Sequence, residues 1–238
     1  MESSVLTQTH AVRAYEHLRR KLISGDFPPG SRLRYGPIGK ELGISATPVR
    51  EAIGQLANEG LVQLVPQLGA VVRQVDRETL TELYELREVL EPYAAARAAE
   101  RATSQQIEKI SEQLERMRRI TEQVRQADDQ YAGKQLTTEF EKADLTFHML
   151  IIEATGNTTL VRTLGNSHVL TGVFATERHR YNVDVMDATC EDHDRILTGI
   201  ESRDANVAKQ ATLDHIHHGL EITLQNINQQ QNRWWEKT

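Results

Sequence analysis

The sequence predicts a mainly α chain in two parts: three helices and a β-hairpin at the N-terminal end, then a larger all-α helical bundle. Three observations lead there. Apolar residues recur at helical spacing over most of the 238 residues. Short β-branched runs occur between residues 61 and 73. Proline and glycine turns are dense before residue 70, and no proline cluster follows Asp76.

The elements follow in order. Val12, Tyr15, Leu18, Leu22 and Ile23 mark a helix from Thr9 that Gly25 ends. Asp26-Phe27-Pro28-Pro29-Gly30 is a rigid turn, because each proline fixes its own φ and restricts its predecessor. Pro37 to Leu42 reads as a short helix closed at Gly43, and Ile44-Ser45-Ala46 turns into a third helix over Pro48 to Glu59 with Thr47 as its N-cap. Gly60 stops that helix. Leu61 to Val65 and Ala70 to Arg73 then flank the turn Pro66-Gln67-Leu68-Gly69 as two strands. Helix, turn, helix and hairpin together make a winged helix-turn-helix over residues 1–75. The remainder, 76–238, reads as helices over 77–101, 104–131, 135–156, 158–182, 184–202 and 204–230, broken by capping and turn residues. This larger part is the candidate for a sensory or dimerising body. A Gln- and Asn-rich tail ends in Trp234-Trp235.

Composition narrows the function. The net charge is −6. Residues 1–75 hold nine Lys or Arg against six Asp or Glu, so this part is net positive while the rest is strongly negative. A small basic module on a large acidic one suits a phosphate-binding head on a sensory body. No apolar run approaches the roughly 18 residues of a membrane span, and the first residues lack a signal peptide's apolar stretch, so a cytoplasmic protein is expected. The single cysteine, Cys190, excludes an internal disulfide and a CxxC site, and is expected to be a small semi-buried hydrophobe.

In a helix-turn-helix the second helix enters the major groove with its N-terminal residues nearest the bases. Here those are Thr47-Pro48-Val49-Arg50. Arg50 can reach a guanine edge or a phosphate, and Ser45 and Thr47 can donate to phosphates; the local alternative is two caps and a solvated arginine. The linked motifs Phe27-Pro28-Pro29-Gly30-Ser31-Arg32-Leu33, Leu42-Gly43-Ile44-Ser45, Thr47-Pro48-Val49-Arg50-Glu51-Ala52-Ile53 and Leu56-Ala57-Asn58-Glu59-Gly60-Leu61-Val62 resemble the GntR family of bacterial repressors. The resemblance implies phosphate contacts from Arg32 and Arg34, with Gln67 and Gly69 at the wing tip completing the DNA-binding set. The family often has an arginine where Ala46 stands and a basic residue near Gln67-Leu68, which leaves the operator sequence open.

In the second part Asp144 and His148 lie four apart, on one face of a helix, where they can share a divalent ion or form an ordinary solvated pair. His193 and His215 sit inside two later helical segments. Asp-x3-His followed by one histidine on each of two later helices resembles the FCD ligand-binding domain of the FadR subfamily. That resemblance implies Asp144, His148, His193 and His215 as metal ligands and points away from acyl-CoA as effector. Zinc, nickel and manganese all accept such a set. Arg87 is the candidate second anchor for an acidic effector, and equally a partner for Glu91 one turn on; Arg178 and Arg180 are weaker candidates. His10, His17, His168, His179, His217 and His218 are read as ordinary surface residues.

The function these features imply is a homodimeric DNA-binding regulator on a palindromic operator. It would be a repressor released by a small carboxylate such as a sugar acid, hydroxy acid or aromatic acid. A metalloenzyme would need a general base beside the metal and has no use for a basic winged head. A metal-stabilised protein-binding module would need no open coordination position.

Overall fold

A computed structural model describes residues 9–74, 76–127, 130–175 and 181–235, and side chains except those of 173–175 and 226–235. The chain divides into two compact units: residues 1–75 and, apart from 172–177, residues 76–238.

The first unit contains α1 (His10–Ile23), β1 (Arg32–Leu33), α2 (Tyr35–Leu42), α3 (Ala46–Asn58), β2 (Val62–Val65) and β3 (Gly69–Val72). Thr9 caps α1, its hydroxyl accepting from the Val12 N–H. The inward stripe Ala14, Leu18 and Leu22 is buried, as is the stripe Val49, Ala52, Ile53 and Leu56 of α3, on which α1 packs. Each large aliphatic side chain buried here contributes about 1.5–3 kcal/mol. Gly43 takes φ +68, which lets α2 stop in one residue and the chain re-enter α3 after Ile44 and Ser45.

Helix α3 starts at Ala46, earlier than the sequence predicts, so Ser45 rather than Thr47 occupies the N-cap. Ser45 makes no capping hydrogen bond with its side chain. Pro48, now the third helical residue, has no N–H to offer it. The wing hairpin pairs Val62 with Val72 and Val65 with Gly69. Strand β1, which the sequence does not reveal, pairs Arg32 with Val71 and Leu33 with Ala70 and completes a three-stranded antiparallel sheet of order β1-β3-β2. Two residues carry no periodicity; only their distant partner makes them a strand.

The second unit is helical throughout its described residues: α4 (Arg77–Arg101), α5 (Ser104–Gln126), α6 (Lys134–Ala154), α7 (Thr158–Ala175), α8 (Val183–Glu201) and α9 (Ala205–Trp235). Helix α5 ends five residues before the expected 131, and α9 runs past the expected 230. Asp76 caps α4, Thr103 and Gln106 form a capping box on α5, and Asn182 caps α8. Helix α4 packs on α6, α8 and α9, α5 on α6 and α8, and α8 on α9. The inward face of α4 is built from Ala94, Ala95, Ala98 and Ala99, all fully buried, which admits close neighbours. Gly199 serves the same purpose on α8: a Cβ there would stand 2.5 Å from the Ala208 nitrogen of α9. Phe140, Phe147, Met117, Leu114, Ile196 and Ile200 fill the centre. Pro92 lies inside α4 and cannot donate to the carbonyl of Glu88. Cys190 is buried, and burial pushes its thiol up to about 11, in keeping with a small hydrophobe. No helix among the described residues is long and apolar enough to cross a membrane.

Candidate functional site

In the first unit Arg32, Arg34, Ser45, Thr47, Arg50 and Gln67 are all exposed, and Gly69 is half-buried. With α3 beginning at Ala46, Thr47 lies in its first turn and Arg50 opens the second. The Arg50 guanidinium sits 5.5 Å from the centre of the Tyr35 ring, a stacking contact that orders it without neutralising it. None of the three arginines forms an ion pair among the described residues, so their charge faces solvent. The pairing of β1 with β3 carries Arg32 alongside the wing: a Cβ on Gly69 would lie 3.8 Å from its guanidinium. Gln67 and Gly69 both take positive φ, +67 and +87, which turns the wing tip tightly.

In the second unit α6, α8 and α9 bring four predicted residues together. The Nε2 of His148 lies 3.2 Å from that of His193 and 3.2 Å from that of His215. Asp144 Oδ1 is 3.3 Å from His193 Nε2 and 4.0 Å from His148 Nε2. Ligand atoms on one ion, with bonds of about 2.1 Å at tetrahedral or octahedral angles, stand about 3.0–3.4 Å apart. The contacts of His148 with His193 and His215, and of His193 with Asp144, have the spacing of a first coordination sphere, while Asp144 stands farther from His148; His148, His193 and His215 are all buried.

The opposite nitrogens of the three rings each face an acceptor. His193 Nδ1 lies 2.7 Å from the Thr189 carbonyl oxygen, His148 Nδ1 3.1 Å from Glu91 Oε2, and His215 Nδ1 3.6 Å from Asp192 Oδ2. With Nδ1 protonated in each ring, all three Nε2 atoms present lone pairs to one another. Burial, then repulsion from His215, drives His193 down to about 3, so at neutral pH its ring is uncharged. In that tautomer the three Nε2 atoms are convergent acceptors, an arrangement that fits a cation.

Around this cage lie further residues, of which the sequence marks only Glu91, as a partner for Arg87. Glu91 is buried and accepts from the Arg87 Nε at 2.5 Å. Burial alone would raise its carboxyl, but Arg87, His168 and His148 hold it well below the usual range. His168, expected at the surface, is buried, with Nε2 3.1 Å from Glu91 Oε1. These histidine contacts to Glu91 are close but poorly aligned, and Glu91 Oε2, His168 Nε2 and Ser167 Oγ have no well-directed hydrogen bond. Glu91, His148 and His168 are spaced as a second potential ligand group, but the Arg87 cation on the same carboxylate opposes another ion there.

Arg87 itself is buried against Glu91, its guanidinium 5.0 Å from the Tyr84 ring centre. Asp192 is buried and shared by His215, His218 and Arg195. His217 and His218 have largely exposed side chains, as expected, and pair with Glu88 and Asp192. Arg178, His179 and Arg180 lie outside the described residues. The sequence marks Glu91 only as a partner one turn beyond Arg87, a pairing the structure forms; Asp192 could have been noticed beside His193, and nothing in the sequence around His168 marks it.

An exposed winged helix-turn-helix with three uncommitted arginines, followed by a helical body, defines the class: a two-part DNA-binding regulator. Comparison with known proteins gives the family. Residues 10–72 match the bacterial regulatory proteins of the gntR family and residues 82–218 match the FCD domain. The chain belongs to the GntR family, in its FadR-type branch with a C-terminal FCD domain, and is a transcriptional regulator, not an enzyme. It is 25% identical over 235 residues to the transcriptional repressor RspR of Escherichia coli K12, covering 97% of this chain and 96% of that one. To the gluconate operon transcriptional repressor of Bacillus licheniformis it is 24% identical over 202 residues, 82% of this chain and 77% of that one. Its fold is that of E. coli McbR/YncC, with a TM-score of 0.78 at 21% identity, covering 93% of this chain and all of that one. A GntR regulator from Rhodococcus sp. RHA1 follows at 0.74, also 21% identical, with 91% and 98% covered.

Proposed function

We propose that the protein is a repressor whose helical domain holds a divalent metal ion on Asp144, His148, His193 and His215 and senses a small carboxylate there. The single observation that carries the reading is the convergence of three buried imidazole rings, with the Nε2 of His148 3.2 Å from those of both His193 and His215. Zinc, nickel and manganese all suit one carboxylate and three imidazoles. When bound, such an ion supplies open coordination positions to which an anionic carboxylate can attach. The protein's own residues do the rest: Thr189, Glu91 and Asp192 orient the rings, and burial excludes water.

A small acid is further supported by the relative named as a gluconate operon repressor, a sugar-acid system. A hydroxy acid or aromatic acid fits the same chemistry. Arg87 spends its Nε on Glu91, so it anchors an acid only through its terminal nitrogens.

In the head, Arg50 reads the major groove, Ser45, Thr47, Arg32 and Arg34 hold phosphates, and Gln67 and Gly69 bring the wing to the backbone. Two heads on a palindrome require a symmetric homodimer. An acid that prefers a conformer with misplaced heads weakens operator binding by its differential affinity, typically about 1–3 kcal/mol of coupling. The test is operator affinity by fluorescence anisotropy, with metal-loaded protein and a panel of carboxylic acids. At least one acid should weaken binding about fivefold or more, and only with metal present. Unchanged affinity across the whole panel, with the metal demonstrably bound, contradicts the reading.

A further inference from the structure

We propose that Glu91 is a positioning residue that fixes His148 with its proton on Nδ1, leaving the Nε2 lone pair for the ion. This role rests on the metal-site reading above. A neutral imidazole carries one proton on either nitrogen, and the partner of one nitrogen decides the state of the other. For His193 that partner is a backbone carbonyl, which can only accept. For His148 it is a buried carboxylate oxygen, Glu91 Oε2, at 3.1 Å.

The orientation of Glu91 is set from its other end. Arg87 donates its Nε–H to Oε1 at 2.5 Å and neutralises the buried charge, and His168 flanks the same oxygen at 3.1 Å. That leaves Oε2 without a well-directed donor and aimed at the His148 ring. A buried carboxylate oxygen needs a donor, so the His148 proton belongs on Nδ1. Glu91 is no ligand to the same ion, because it meets the ring at the nitrogen opposite Nε2. It works through His148, as carboxylates behind metal-bound histidines commonly do.

The network makes Glu91→Gln informative despite its equal size. Arg87 can only donate, so it takes the amide oxygen at the Oε1 place, and the amide NH2 then faces His148 Nδ1. Donation to Nδ1 moves the histidine proton to Nε2, where the ion must bind. Arg87→Met with Glu91→Gln removes the group that orients the amide. Its oxygen can then turn to His148 and its NH2 to His168.

The experiment uses the full chain, reading the His148 tautomer in metal-free protein by long-range 1H–15N correlation and zinc affinity by chelator competition. Wild type should show the Nδ1–H form. E91Q should show Nε2–H and bind zinc about tenfold to hundredfold more weakly. The double variant should recover to within about threefold of wild type, whereas a side chain that merely packs would leave it weaker than E91Q. An unaltered tautomer with wild-type zinc affinity in E91Q, or no recovery in the double variant, overturns the role. Should E91Q fail to fold, an Nε2–H tautomer in wild type overturns it alone. Zinc that does not bind wild type at all overturns the metal site itself; zinc that binds wild type and E91Q alike overturns only Glu91.

Discussion

The two units keep their polar residues in opposite places. In the head the candidate DNA contacts are exposed and the core beneath them is aliphatic, from Leu18 and Leu22 of α1 to Ile53 and Leu56 of α3. In the body the candidate site is itself core: His148, His193, Glu91, Arg87 and Asp192 are buried beside Phe147 and the alanine face of α4. The difference teaches that function and folding are separable in the head and shared in the body. An arginine can leave the head's surface without disturbing what holds it together. A histidine cannot leave the body without altering its packing and its charge balance.

The largest expected effect falls on the body. The pKa of His193 drops from an ordinary 6.5 to about 3, because burial penalises its cation. In metal-free protein the unfolded state therefore binds one proton more than the folded state between those pH values. Stability then falls as pH falls, by about 1.4 kcal/mol per unit from this residue alone. It is unaffected by His193 above pH 6.5. Urea titrations at a series of pH values measure the slope; a flat profile from pH 6.5 to 5 would show that the cage admits a proton and the contrast with the head is smaller than drawn.

A smaller effect belongs to the head. Arg50→Ala should weaken operator binding by about 1–3 kcal/mol and relax base preference, with the melting temperature unchanged. Loss of stability to match the loss of binding would break the separation. Smaller again is Arg32→Ala, whose loss should weaken specific and non-specific DNA about equally and reduce the salt slope by about one. Base-selective loss at Arg32 would make it a reader, placed by β1 beside the wing.

Much of this arrangement was legible in the residues. Helical periodicity and caps marked the helices, and the β-branched runs around Pro66 to Gly69 marked the wing. Strand β1 was not, because Arg32–Leu33 is defined by pairing with β3 nearly forty residues on. The start of α3 was misplaced because Thr47-Pro48 imitates a cap and first residue, while Ser45 sits at the cap two positions earlier. Asp144 and His148 were visible as a helical pair, and His193 and His215 through the family pattern. Glu91 was visible only as a partner for Arg87, and His168 and Asp192 not at all, since what makes them part of the site is burial against the histidines of other helices. His168 in particular reads as a surface residue until α7 is folded against α4.

The measurement that tests the central claim most directly is elemental analysis of the purified protein beside a His148→Ala, His193→Ala double variant. Thermal melting of both with simple carboxylic acids accompanies it. The predicted result is about one divalent ion per wild-type chain, none in the variant, and a melting point that one acid raises only when metal is present. Two metal-free proteins that melt alike would contradict it, and would make the three imidazoles ordinary core residues.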